Sequence, residues 1–143
     1  MSRALLDVNV LLALLDSDHA HHLIAQEWLR GNVEQGWASC AITQNGFVRI
    51  VSQPRYPNAV SPIAGIALLR NACDTEFHEF WPCDVSVLDL SIIDPLRLHG
   101  TRQVTDAYLL ALAVHHDGVF VTFDRAVSAA VVLGAKDHHI VTI

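Results

Sequence analysis

Lysine is almost missing from this chain: Lys136 is the one lysine, beside eight arginines. Charged residues of both signs make up only 17% of the 143 residues, and the net charge is −6. That acidic balance argues against a protein that grips nucleic acid through a broad basic face. It leaves room for a site where a divalent cation offsets clustered carboxylates. It also leaves room for arginine, which suits bidentate phosphate contacts and stacking on unpaired bases. Cysteine is scarce too, with Cys40, Cys73 and Cys83 far apart and no C-x-x-C spacing. A disulfide frame and a cysteine zinc site are excluded, and the three are expected as small buried side chains in a reducing cytoplasm. No apolar run approaches the ~18 residues of a membrane span, and the opening residues lack the apolar segment and cleavage site of a signal peptide. There is no repeat, low-complexity run or linker.

What is present is a core. Hydrophobic residues make up 52% of the chain, ample for one domain spanning residues 1–143. Low charge and high hydrophobicity together predict apolar surface covered by a partner or a second copy. Short β-rich runs alternate with helical periods, the pattern of a parallel sheet covered by helices. Ala4-Leu5-Leu6 predicts a first buried strand ending at Asp7, with Asn9 capping a short helix through Leu15. Ala20, Leu23, Ile24 and Trp28 follow helical spacing, and Gly31 supplies a stop. Residues 37–42 read as strand two, and Thr43 as the cap of a third helix bearing Phe47, Ile50 and Val51. Ser61-Pro62 opens a helix to about Cys73. Residues 85–88 read as strand three, with a short helical turn near 92–98. Thr105 then caps a strong helix carrying Leu109, Leu110, Leu112 and Ala113. Strand Val119-Phe120-Val121, a last helix over about 125–133 and a final strand at 140–142 complete an α/β reading with about five strands.

In an open parallel sheet, ligands gather outside the carboxyl ends of the strands. Asp7 directly follows strand one, and Asp124 stands just beyond strand Val119-Val121. Asp106 lies in the first turn of its helix, and helices in such folds begin at the same edge. Each acid also has a structural role open to it: Asp7 as a cap, Asp106 as a partner of the helix dipole, Asp124 in a turn with Arg125. Taken jointly, clustered carboxylates repel, and an oxygen-preferring cation such as Mg²⁺ or Mn²⁺ is the common remedy.

Three segments now carry a resemblance: Leu6-Asp7-Val8-Asn9-Val10-Leu11-Leu12, Thr105-Asp106-Ala107-Tyr108-Leu109-Leu110, and Val121-Thr122-Phe123-Asp124-Arg125-Ala126. With Thr43-Gln44-Asn45-Gly46-Phe47-Val48-Arg49 and Pro54-Arg55-Tyr56-Pro57 between them, they are similar in order, spacing and context to the PIN-domain nucleases. The likeness is greatest to the VapC toxins of bacterial toxin–antitoxin pairs. The resemblance implies a three-layer α/β/α PIN-like domain around a central parallel sheet. It also implies hydrolysis of RNA phosphodiester bonds with one or two Mg²⁺ or Mn²⁺ ions, a small VapB-like antitoxin and a homodimer. By the same resemblance Asp7, Asp106 and Asp124 are the metal ligands and catalytic acids. Asn9 orients the Asp7 carboxylate, and Thr122 supports Asp124. One position departs from the family: Gln44 stands where a fourth acid is common. Two readings stay open there, a nuclease with fewer protein ligands and more water, or a catalytically weak RNA- or protein-binding relative.

No protein nucleophile is needed for metal-assisted hydrolysis, and no G-x-S-x-G elbow is present. A haloacid-dehalogenase-type phosphatase is disfavoured because Asn9 replaces its second aspartate, and a Rossmann domain because Val8-Asn9-Val10 lacks glycine. Arg49, Arg55, Arg97, Arg102 and Arg125 are the candidates for phosphate contact, with internal ion pairs the alternative for each. Nine histidines include His19, His21 and His22 and the pairs His115-His116 and His138-His139. Consecutive helical histidines are expected to face apart, so these read as solvated or helix-end residues. Trp81 reads as packing under a loop, with base stacking the alternative.

Overall fold

A computed structural model describes residues 2–143. It contains β1 (Ala4–Leu6), α1 (Val8–Leu15), α2 (His22–Asn32), β2 (Trp37–Cys40) and α3 (Ala41–Val51). These are followed by α4 (Pro62–Cys73), β3 (His78–Trp81), α5 (Gln103–His115), β4 (Val119–Thr122) and β5 (Ile140–Thr142). The five strands form one sheet in the order β3-β2-β1-β4-β5, parallel throughout. Strand order reverses direction at β1, so the crevice of a doubly wound sheet opens between the ends of β1 and β4.

The side-chain alternation of each strand divides the core into two layers. Ala4 and Leu6 face α1, α3 and α4, joining Val10, Leu11, Phe47, Val51 and Leu69. Leu5, Ala38, Cys40 and Phe120 face α5 on the other side. Helix α5 is buried all round from Ala107 to Ala113, because a strap of irregular chain covers its outer face. Val85, Ile92 and Ile93 from one segment and Val131 and Val132 from another pack over it. An antiparallel bridge between Ile93 and Val132 ties the two segments together. Burying a leucine such as Leu109, Leu110 or Leu112 stabilises the fold by about 1.5–3 kcal/mol each.

Several local expectations are corrected. The edge strand is His78–Trp81 rather than residues 85–88. His78 and Glu79, on opposite faces of this strand, break the apolar alternation that marks one, whereas Val85 belongs to the strap and its carbonyl accepts from the Tyr108 hydroxyl at 2.9 Å. No helix spans 125–133; a single 3-10 turn at Ala129–Val131, capped by Ser128, lies flat against α5. Asp7, not Asn9, caps α1. Helix α3 opens at Ala41, with Thr43 in its first turn bonding back to the Cys40 amide at 3.0 Å. Helix α5 opens at Gln103, ahead of Thr105. Of the cysteines, Cys40 is buried, Cys73 half-buried and Cys83 exposed; all three are free thiols. No helix of the described residues is long and apolar enough to cross a membrane.

The turn from α5 into β4 is tightly packed. A Cβ on Gly118 would stand 2.5 Å from the Arg3 carbonyl oxygen and 2.5 Å from the Trp81 ring. Gly118→Ala is therefore expected to lower stability by about 1–3 kcal/mol, the range for overpacking. Urea denaturation checks this, and an unchanged midpoint contradicts it.

Candidate active site

The parallel register aligns Leu6 with Val121, and the Asp7 amide continues the ladder by donating to the Val121 carbonyl at 2.9 Å. Asp7 and Thr122 thus emerge side by side on the α5 face of the sheet. Thr122 is fully buried and its hydroxyl works twice: it donates to Asp7 Oδ2 at 2.7 Å and accepts from the Asp124 amide at 3.0 Å. The other Asp7 oxygen accepts from the Val8 amide at 2.7 Å, at the start of α1. Asp124 is exposed, and its Oδ1 closes the following turn by accepting from the Ala126 amide at 2.8 Å. Asp106, in the first turn of α5, shares a recess with Asp124, close enough for the two carboxyls to interact.

The three acids sense one another. Burial, then the charges of Asp7 and Asp124, then the hydrogen bond with Asp124 push the Asp106 carboxyl up to about 7. The Asp7 carboxyl is also raised, chiefly by burial; the bonds from Thr122 and Val8 oppose the rise and the Asp124 charge adds to it. Among the described residues no arginine, lysine or histidine forms a salt bridge with any of the three. A crowded, partly desolvated and uncompensated carboxylate set of this kind suits a hard divalent cation bound through oxygen.

Recesses flank the cluster. One, of about 320 Å³, is lined by Arg102, Gln103, Asp106, Asp124, Ser128 and Val131 among others. A broader one, of about 540 Å³, runs past Val8, Asn45, Gly46, Arg49 and Thr105. Gly46 explains how α3 comes so near: a Cβ there would lie 2.8 Å from the Val8 side chain, beside Asp7.

Acids at the ends of β1 and β4 and at the start of α5 stand at the sheet edge where the topology placed them, and comparison with known proteins decides the family. A profile of the PIN domain matches residues 4–132. The chain belongs to the PIN-domain family and, within it, to the VapC proteins. It is 61% identical over 141 residues to Ribonuclease VapC44 of Mycobacterium tuberculosis, covering 99% of both chains. To Ribonuclease VapC39 of the same organism it is 43% identical over 127 residues, covering 87% of this chain and 91% of the relative. Among solved structures, that of VapBC2 from Rickettsia felis bound to a promoter DNA fragment superposes with a TM-score of 0.55. That match covers 85% of this chain and 87% of the other at 11% identity, which speaks for the shared fold alone. With the sheet and its flanking helices, it identifies the three-layer α/β/α PIN fold.

Other residues singled out in this PIN domain are placed less uniformly. Asn9 is exposed on α1, and the orienting bonds to Asp7 come from Val8 and Thr122 instead. Thr122 holds the backbone amide of Asp124 rather than its carboxylate, and its hydroxyl donates to the Asp7 carboxylate. Gln44 does not face the acids. Its amide donates to the buried Ser39 hydroxyl at 2.9 Å, and Ser39 in turn meets His78 Nε2 at 2.7 Å. Strand alternation puts Ser39 on the α3–α4 face, whereas Asp7 and Thr122 emerge on the α5 face. Arg49 and Arg102 line the two recesses, one on each side of the cluster. Arg55 and Arg125 are exposed and line neither, and Arg97 pairs with Asp94 at 3.4 Å. Trp81 is buried against α5, not offered to a ligand.

The raised carboxyls give a pH dependence. Between the ordinary value of 3.8 and about 7, the folded chain keeps a proton on Asp106 that the unfolded chain has lost. The contribution of Asp106 to the stability of the metal-free protein therefore falls as pH rises through that window. Denaturation of wild type and Asp106→Asn across the window checks this. The stability of the variant relative to wild type is expected to rise with pH, and a constant difference contradicts it.

Proposed function

We propose that this VapC protein, one PIN-like unit over residues 1–143, is a Mg²⁺- or Mn²⁺-dependent endoribonuclease acting as the toxin of a toxin–antitoxin pair. The observation that carries the reading is the convergence of Asp7, Asp106 and Asp124, without a salt-bridge partner among the described residues, between two recesses that each include an arginine. It is supported by the 61% identity to a relative named as a ribonuclease.

In this reading Asp7, Asp106 and Asp124 hold the cation and are the catalytic acids. Bound there, the ion supplies Lewis acidity toward the phosphate and makes a water a competent nucleophile near neutral pH. Thr122 holds Asp7 in one orientation while anchoring the turn that carries Asp124. Asp106, poised near pH 7, gives up its proton to bind a cation, so affinity weakens on acidification. Arg102 and Arg49 take the phosphates on either side of the scissile bond, with Arg125 and Arg55 further out on the RNA path. The neutrality of Gln44 removes nothing from the cluster, because its side chain is engaged with Ser39; this favours an active enzyme over an inert binding relative. Exposed Leu23 and Ile24 on α2 and Ile63 and Ile66 on α4 form the apolar surface for a second copy and a VapB-like antitoxin in the cytoplasm.

Asp7→Asn and Asp106→Asn are each expected to abolish cleavage of purified RNA, with the circular dichroism of the wild type preserved. A folded variant that still cuts at the wild-type rate overturns the assignment. Chelation should stop wild-type cleavage and Mn²⁺ restore it. Thr122→Val is expected to reduce cleavage at least about tenfold, as loss of an orienting partner does at metal sites. Thr122→Ser, which keeps the hydroxyl, should retain most of the activity; equal loss in both removes the hydroxyl from the account.

A further inference from the structure

At the far end of α5, away from the acids, three further side chains with metal-ligating atoms converge. His115 is the last residue of the helix, His116 caps it, and Asp84 comes from the segment after β3. From Asp106 to His115 is nine residues of helix, about 14 Å. Asp84 Oδ1 lies 2.9 Å from His116 Nε2, and Oδ2 lies 3.4 Å from His115 Nε2. One atom from each residue falls within 4.8 Å of the others. A tetrahedral Zn²⁺ with bonds of about 2.0–2.1 Å spaces its ligand atoms about 3.3–3.4 Å apart.

Two consecutive histidines were expected to face apart, and they do not because the helix ends between them. His116 leaves the helical path at φ −95° and ψ 16°. The rings stand edge to face at 90°, with centroids 5.2 Å apart, so both Nε2 tips turn to the same carboxylate. A Schellman closure fixes this turn: the Gly118 amide donates to the Ala113 carbonyl at 2.8 Å and the Asp117 amide to Val114 at 3.1 Å, with Asp117 at φ 56°. His116 is further held by stacking on the buried Trp81 ring at 4.7 Å and 12°. Asp84 and His115 are each nearly half exposed, which leaves an open side for water as a fourth ligand. The carboxyl end of α5 adds the partial negative charge of its free carbonyls, favourable to a cation. A plain ion pair needs one imidazolium; here each oxygen of one carboxylate faces a different ring nitrogen.

We propose that Asp84, His115 and His116 form a second metal site, selective for an imidazole-preferring divalent ion such as Zn²⁺, that staples the segment after β3 to the end of α5. Its two nitrogen donors set its preference apart from that of the all-oxygen acidic cluster, which suits Mg²⁺ or Mn²⁺. The site is structural, since it lies a helix length from the acids.

Tag-free protein stripped by a chelator, titrated with Zn²⁺ by calorimetry and with Co²⁺ by visible absorption, tests the proposal. Wild type and Asp106→Asn should each bind one Zn²⁺ at this site and show the intense bands of tetrahedral Co²⁺. His115→Gln, at a half-exposed ring outside the Trp81 stack, should weaken that binding at least about a hundredfold, the upper end of what loss of an outer partner costs. Asp84→Asn should act the same way without disturbing the stack. Binding lost in Asp106→Asn but kept in His115→Gln assigns the zinc to the acidic cluster and overturns the proposal. Absence of any tight Zn²⁺ binding by wild type overturns it as well.

Discussion

A single buried hydroxyl governs the geometry of the acidic edge. Two neighbouring strands of a parallel sheet bring Asp7 and Thr122 together by register, but register alone does not orient a carboxylate. Thr122 does so by donating a hydrogen bond to Asp7 and accepting one from the Asp124 backbone amide. Two sequence-distant acids are thereby referenced to one buried oxygen atom. A buried polar group is costly unless its hydrogen bonds are made, and this hydroxyl makes them only in one arrangement. Repulsion among the acids works against that arrangement. The apolar layers on both sides of the sheet resist the separation that would relieve it.

Helix α5 is the second half of the same constraint. It brings Asp106 to the edge and is enclosed by sheet on one side and strap on the other. Its sequence is apolar all round, which in a water-facing helix would be a defect and here reports full enclosure. The strap has little regular structure of its own. It is held by the Ile93–Val132 bridge and by Tyr108 reaching the Val85 carbonyl. One helix therefore serves as core, as carrier of an acid at its start and as carrier of two histidines at its end.

Much of this was legible in the residues. Unbroken apolar runs fixed β1 and β4 within a residue, and Ser61-Pro62 marked the start of α4, because those signals are local. Asp7, Asp106 and Asp124 could be placed at one edge from topology alone. What failed depended on information that is not local. The edge strand β3 carries polar His78 and Glu79 on opposite faces, so it shows no apolar alternation, while Val85 in the strap is apolar because it covers α5. Gln44 matched an acid in the linear pattern, but Ser39, five residues earlier and across a helix start, claims its amide. Asn9 looked like a cap because asparagine often is one, whereas the better-placed carboxylate of Asp7 does that work. The histidine pair escaped because helical periodicity holds only while the helix lasts.

The enclosure of α5 also bears on the order in which parts of the molecule open. Amides in a helix covered on every side exchange with solvent through global unfolding, whereas exposed turns open far more readily. Ala107 to Ala113 belong to the first kind of element, Asp106 sits at its margin in the half-buried opening turn of α5, and Asp124 belongs to the second. The acidic edge is thus joined through the buried Thr122 to a core that opens only with the whole fold, while its outermost acid stands on a turn that can open by itself.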